Sequence, residues 1–206
     1  MNIRNRLVVS PPALIILLGI VPILAGIARS LQIFGLPIGI PDIERILSSR
    51  TDILVVHITT GVLFWTLGAF QFSPRFRKRH PSFHRLAGRV LVAAAIMLGL
   101  STLRLTLFFP QAAYNGSVVK AVRLIIAPCF LAMIVLGFLA ARRQDFAAHQ
   151  VWMIRAIALS LGTGTQVYFF LVWMMISDVD TDLIRGGIFA FASALNLVIA
   201  ERLLRR

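Results

Sequence analysis

Long apolar runs separated by short polar segments set the pattern of this chain. Six such runs cover about Val8–Ala28, Ile53–Phe72, Leu86–Phe109, Val119–Ala141, Phe146–Ile176 and Leu183–Leu204. A helix needs about 20 mainly apolar residues to cross roughly 30 Å of hydrocarbon, and every run reaches that length. The apolar residues are continuous and do not alternate with period two. In lipid the backbone must satisfy its own hydrogen bonds, so continuous runs predict helices and not a barrel. The fold class read from this pattern is an all-α integral membrane protein, a bundle of six transmembrane helices. No segment is long enough for a separate soluble domain, so residues 1–206 are read as a single transmembrane domain.

The polar segments refine this picture. In the longest of them, about Arg29–Thr51, Ile40, Ile43, Ile46 and Leu47 recur at helical spacing around Pro41, Asp42, Glu44 and Arg45. That pattern predicts a short interfacial helix on the outer side. Ser73–Ser82 is the most basic segment and is bracketed by Pro74 and Pro81. Phe108–Pro110 and Asn115-Gly116 mark a tight turn between spans three and four. Trp65, Trp152, Trp173 and Tyr114 fall near span ends, as an aromatic belt would. The first run follows Arg4 and Arg6, as a signal peptide would, but it exceeds the roughly 7–15 residues of a signal core and reads as a span.

Composition agrees with the class. Of 206 residues, 58% are hydrophobic and 14% charged, whereas soluble domains carry about 45–50% and 25%. The 21 Lys and Arg outweigh 8 Asp and Glu, a formal +13. A basic soluble protein would suggest nucleic acid, but here the charges cluster at span ends and no nucleic-acid partner is expected. Arg4, Arg6, Arg75, Arg77, Lys78, Arg79, Arg85, Arg89, Arg142, Arg143, Arg202, Arg205 and Arg206 flank one side, thirteen in all; Arg29, Arg45, Arg50, Arg104, Lys120, Arg123 and Arg185 flank the other. Cationic flanks stay inside, so both termini are expected in the cytoplasm and anionic phospholipid is expected on the basic face. The single Cys129 falls within span four, where a thiol behaves as a small apolar residue.

Three clusters bear chemistry. On the inner side, His84-Arg85 and Gly88-Arg89 open span three, and His149 lies near the start of span five. Two histidines from different helices, with Gly88 one turn above His84 and Arg85 and Arg89 alongside, suit a b-type haem or an anionic lipid. Asp145, four residues before His149, is a candidate acceptor for its Nδ1–H. On the outer side, His57 lies about 7 Å inside span two at 1.5 Å per residue. Arg104, Lys120 and Arg123 share its depth, and together these four are candidates for holding an anion. Asp178-Val179-Asp180-Thr181-Asp182 has the spacing of a calcium loop, yet Leu183 stands where the turn glycine belongs and no downstream Glu follows. No metal site is assigned, and Asp182 is expected to cap span six. Arg155, deepest of the cations, is expected to meet polar groups such as Gln166, Thr163, Thr165 or Gln71 inside the bundle.

His57 with Gly61, Gly68 with Gln71-Phe72, His84-Arg85…Gly88-Arg89, and His149…Trp152-Met153…Arg155 resemble a bacterial family of predicted membrane proteins of unknown function. The resemblance spans runs two to five and implies a six-helix bundle in the bacterial inner membrane. It brings no activity and no catalytic residue. That family carries an arginine late in span five, where this chain has Gln166. A looser likeness is to six-span dihaem b cytochromes, which pair histidines between spans two and four and between spans three and five. His84 and His149 match the second pair; span four has no histidine to complete the first.

The sequence contains no nucleophile–base pair, complete metal site or phosphate loop, and no catalytic residue is assigned. The leading expectation is a non-catalytic accessory subunit of a larger, bioenergetic membrane complex, binding other membrane subunits and anionic lipid. Gly162, Gly164, Gly186 and Gly187 would permit the close helix contacts this needs. The alternative is an electron-transfer or quinone-interacting protein with one haem on His84 and His149. A small transporter lacks the paired interrupted helices that mark a midplane substrate site.

Overall fold

A computed structural model describes residues 11–36, 38, 51–108 and 116–205. Every regular element among them is a helix: α1 Pro11–Ile33, α2 Thr51–Gln71, α3 Pro74–Arg79, α4 Pro81–Phe108, α5 Ser117–Arg142, α6 Phe146–Ser160, α7 Gly162–Ile176 and α8 Asp182–Leu204. Six stretches among the described residues are long and apolar enough to cross a membrane, with α6 and α7 forming one of them, Phe146–Ile176. The expected interfacial helix over 40–47, Arg4, Arg6, Arg45, Arg50, Tyr114 and most of the Phe108–Asn115 turn lie outside the described residues.

Three boundaries differ from the sequence expectation. The helix α4 starts at Pro81, five residues before the apolar run does, because proline suits the first helical turn, where its missing N–H costs nothing. Its polar opening turn brings Ser82, His84 and Arg85 into the helix. Within the basic segment, Pro74–Arg79 forms the short α3. Ser73 caps it by accepting from Phe76 N at 3.3 Å, and Phe76 stacks on Phe70 and Phe83. Span five is interrupted at Leu161, where the backbone stays right-handed (φ −59°, ψ −20°). Ser160 and Thr163 hydroxyls donate to the carbonyls of Ile157 and Ser160, side-chain bonds that compete with regular helix.

Helix ends are fixed by specific groups. Arg142–Asp145 makes a Schellman turn: Asp145 N donates to Ala140 O and Gln144 N to Ala141 O, with Gln144 at φ +62°. Asp145 then caps α6 by accepting from Ala148 N at 3.0 Å. Thr181, and not Asp182, caps α8, accepting from Ile184 N. Asp182 reaches across to α5, where its carboxylate accepts from Val118 N at 2.7 Å and Val119 N at 3.0 Å. A carboxylate is favoured at a helix start, where N–H groups lack partners and the dipole is positive.

The helices close a ring. In order around it stand α1, α2, α4, α5, α8 and α7, with α1 meeting α7, while α6 leans between α5 and α8. The shared core comes from Phe64, Trp65, Ala95, Phe130, Ile134, Ala156 and Ile157, with Phe64 edge-on to Trp65 and Phe130. Close approach uses bare glycines. A Cβ on Gly162 would strike Ser193, and one on Gly164 would strike the Leu18 carbonyl. Large apolar side chains such as Leu17, Leu24 and Ile125 point outward, as a lipid-facing surface requires.

Candidate functional site

At the basic end, the last residue of α2, the first turns of α4 and the first turn of α6 come together. Gln71 ends α2 with both its amide nitrogen and its amide oxygen buried and unpartnered among the described residues. Polar atoms taken out of water without a partner are costly, so two on one side chain point to a group that is to be bound. Gly88, on α4, lies against this amide: a Cβ there would be in van der Waals contact with Gln71 Oε1, at 3.8 Å.

The histidine pair frames the same region. His84 sits in the first turn of α4, its Nδ1 buried and likewise unpartnered. His149 sits in the first turn of α6, and its Nδ1 lies 2.8 Å from the Gly137 carbonyl of α5. A carbonyl only accepts, so His149 donates from Nδ1 and keeps Nε2 as an acceptor. Asp145 is thus not the partner expected from its spacing, because its carboxylate is spent on the α6 cap. Gly137 also sits where α6 packs closely: a Cβ there would meet Met153 Cε and Trp152 Cβ. His84 and His149 are within electrostatic reach of one another, and Arg77 and Arg85 are within reach of His84. No packed seam joins α4 to α6; each packs on α5.

The arginines nearby are distributed differently. Arg85 is exposed and donates to Ser82 Oγ at 3.2 Å, and Arg89 is exposed on α4. Arg155 does not meet Gln166, Thr163, Thr165 or Gln71. Its Nε donates to Glu201 Oε1 at 2.5 Å and its Nη2 to Oε2 at 3.1 Å, and it lies over the Trp152 ring, 4.9 Å from the centroid. Glu201 stands in the last turn of α8, so the Arg155 guanidinium is held toward the basic end, with its side chain 29% exposed. Glu201, the acid on span six, is a partner that sequence reasoning missed. The signal was there, since it is an acid near the end of span six and Arg155 enters span five from the same side.

The outer candidates are not gathered into one site. His57 Nδ1 lies 3.2 Å from Ser101 Oγ, whose own hydroxyl donates to Leu98 O, so the ring spans the α2–α4 seam. Arg123 is within electrostatic reach of His57. Arg104 is exposed on α4, and Lys120 is half-buried on α5. Arg123 instead lines a cleft with Gln166 and Arg185 between α5, α7 and α8. In the last loop, Asp180 chelates the Arg185 guanidinium, and that pairing holds its carboxyl below the usual carboxylate range. With Asp182 turned to α5, the acidic triplet does not converge on a cation.

A family model described as Predicted membrane protein (DUF2306) matches residues 54–204. The chain belongs to that family. The match takes in α3 to α8 and nearly all of α2, including all four groups of the basic-end site, and leaves α1 outside. No curated protein and no solved structure matches the chain. These comparisons do not carry the likeness to the b cytochromes.

Proposed function

We propose that this DUF2306 protein is a membrane-embedded electron-transfer protein that holds one b-type haem at its basic end. The observation that carries the reading is His149: its Nδ1–H is fixed on the Gly137 carbonyl, so its Nε2 keeps the lone pair with which it would ligate the iron. The residues fit the group. His84 offers an unpartnered buried ring nitrogen on another helix, Gly88 presents no side chain beside the site, and the orphaned Gln71 amide offers a donor and an acceptor. Arg77 and Arg85 are cations suited to its carboxylates. When bound, haem supplies a reversible one-electron couple. The chain would ligate the iron, exclude water and orient the macrocycle. An electron carrier needs a donor and an acceptor, so a quinone or another membrane subunit is the implied partner.

In this reading the basic end faces the cytoplasm of a bacterial inner membrane, following the positive-inside rule. A second reading rests on α3. It exposes Arg75, Arg77, Lys78 and Arg79 while Phe76 turns onto Phe70 and Phe83, a geometry suited to anionic headgroups. The two share Arg77, which is within reach of His84, while Arg75, Lys78 and Arg79 stay with the headgroups.

A visible spectrum of the protein, purified in mild detergent from haem-supplied cells, tests the first reading. A Soret band with sharp α and β bands on reduction is expected, and His149→Ala and His84→Ala should each abolish the low-spin reduced bands. A colourless protein, or a spectrum indifferent to both substitutions, rules haem out.

A further inference from the structure

Of the four histidines, only His57 stands away from the basic end. It lies six residues into α2, about 9 Å below the start of the helix at 1.5 Å per residue. An ionisable side chain at that depth in a span is a functional candidate by default, and the haem reading gives it no role. Its ring is held by a chain of hydrogen bonds. The Ser101 hydroxyl donates to the Leu98 carbonyl at 2.9 Å, and the Thr102 hydroxyl donates to the same carbonyl at 2.7 Å. Each hydroxyl has a single hydrogen, so both oxygens can only accept from the ring. Ser101 Oγ lies 3.2 Å from His57 Nδ1, with Thr102 Oγ1 at 3.5 Å. Nδ1 therefore carries the hydrogen, and Nε2 carries the lone pair. Ser101 is only 1% exposed, so this support is sealed inside the α2–α4 seam.

The other nitrogen is left open. Nε2 has no hydrogen-bond partner among the described residues, yet it is not sealed from the surface, and His57 as a whole is half-buried. A bare lone pair selects its ligand by elimination. An anion or a carbonyl brings only lone pairs of its own and is repelled. A cation is disfavoured, because the Arg123 guanidinium stands within electrostatic reach of the ring. What remains is a neutral donor. The neighbours of His57 one turn away on α2 include Ile53, Leu54 and Gly61, so the donor must also be at home in hydrocarbon. Phospholipid hydroxyls belong to the headgroup layer. A quinol meets both demands, since it carries phenolic O–H groups on an apolar ring. The quinone that it becomes on oxidation offers carbonyl oxygens only.

We propose that His57 Nε2 accepts a hydrogen bond from a quinol hydroxyl, and that this site, at the end of the bundle opposite the histidine pair, takes the reduced carrier in preference to the quinone. Ser101 and Thr102 are positioning residues: they hold the tautomer that leaves Nε2 bare. Binding here needs no haem, although a quinol is a partner of the kind that the haem reading calls for.

Nitrogen NMR of the full chain carrying isotope-labelled histidine, in nanodiscs of zwitterionic phospholipid, reads this atom directly. His57→Phe assigns the resonances by removing them. Where that variant does not fold, His80→Asn, His84→Asn and His149→Asn assign them by elimination. Without added quinone, His57 should show a protonated Nδ1 and a bare Nε2. Decylubiquinol, kept reduced under anaerobic conditions, should move the Nε2 resonance toward the protonated range. It should half-saturate at a concentration roughly tenfold lower than decylubiquinone, the worth of one hydrogen bond. Ser101→Ala, which withdraws an acceptor from Nδ1, should weaken quinol binding and narrow that ratio. An Nε2 that carries the hydrogen overturns the proposal, as does a resonance that the quinol leaves in place or that both redox forms move equally. If Nε2 is already hydrogen-bonded in quinone-free nanodiscs, water or a lipid hydroxyl fills the site and the quinol assignment fails. The haem reading is judged by the visible spectrum and fails separately.

Discussion

His149 and Arg155 show how much one residue's role depends on a partner in another helix. Both stand out in the sequence as ionisable residues in or near an apolar run, where such groups are costly. Their partners do not stand out, because the pairing depends on how α5, α6 and α8 approach one another. The acceptor for His149 is a backbone carbonyl, that of Gly137 on α5. No spacing rule along the sequence finds a carbonyl on a neighbouring helix. The Arg155–Glu201 pair was closer to legible, since each lies near the same end of its span. It is bidentate, and the Trp152 face adds a cation–π contact. Glu201→Gln should lower the melting temperature in detergent, and the exchanged pair Arg155→Glu with Glu201→Arg should recover most of the loss. If the exchanged protein melts no higher than either single reversal, the pair does not join α6 to α8.

Among the elements, the spans were legible almost completely, because length and apolarity decide them. Their interruptions and turns were not. Nothing in the run Phe146–Ile176 announces the tightening at Leu161, which arises from hydroxyl back-bonds and from two glycines pressed against other helices. Gly164→Ala would drive a methyl into the Leu18 carbonyl. Overpacking of this kind costs about 1–3 kcal/mol, and it should appear as a lowered unfolding midpoint, whereas Gly187→Ala should stay within about 0.5 kcal/mol of the parent. The Schellman turn between α5 and α6 gives the opposite expectation. Gln144 holds a left-handed conformation that glycine adopts without steric cost. Gln144→Gly should therefore raise stability by about 0.5–1 kcal/mol without moving His149. Equilibrium unfolding in mixed micelles checks all three substitutions.

For the whole molecule, the charge arithmetic and the helix ring give one consistent picture. The antiparallel spans collect Arg77, Arg85, Arg142 and Arg202 at one end and Arg123 and Arg185 at the other. A reporter that is active only in the cytoplasm, fused after Arg206, should be active. One inserted after Ser177, between α7 and α8, should be silent, and a periplasm-specific reporter should show the reverse. The reverse result for both fusions would invert the proposed orientation and place the histidine pair on the outer side. The bundle class and number of spans followed from the apolar runs alone. The ring order did not, because lipid-facing and helix-facing residues are equally apolar and periodicity along a span loses its meaning.

The seam between α1 and α7 has a consequence for how the chain is made. Tyr168 donates to the Leu17 carbonyl at 2.7 Å, a contact between residues 151 apart in sequence, and Gly164 meets Leu18 in the same seam. At translation rates of about 5–20 residues per second, some 8–30 s separate the synthesis of the two sides. Having docked on α2, α1 waits with its other flank against lipid until the second half of span five arrives. Closure of the ring is thus a late step of biogenesis, timed by the ribosome.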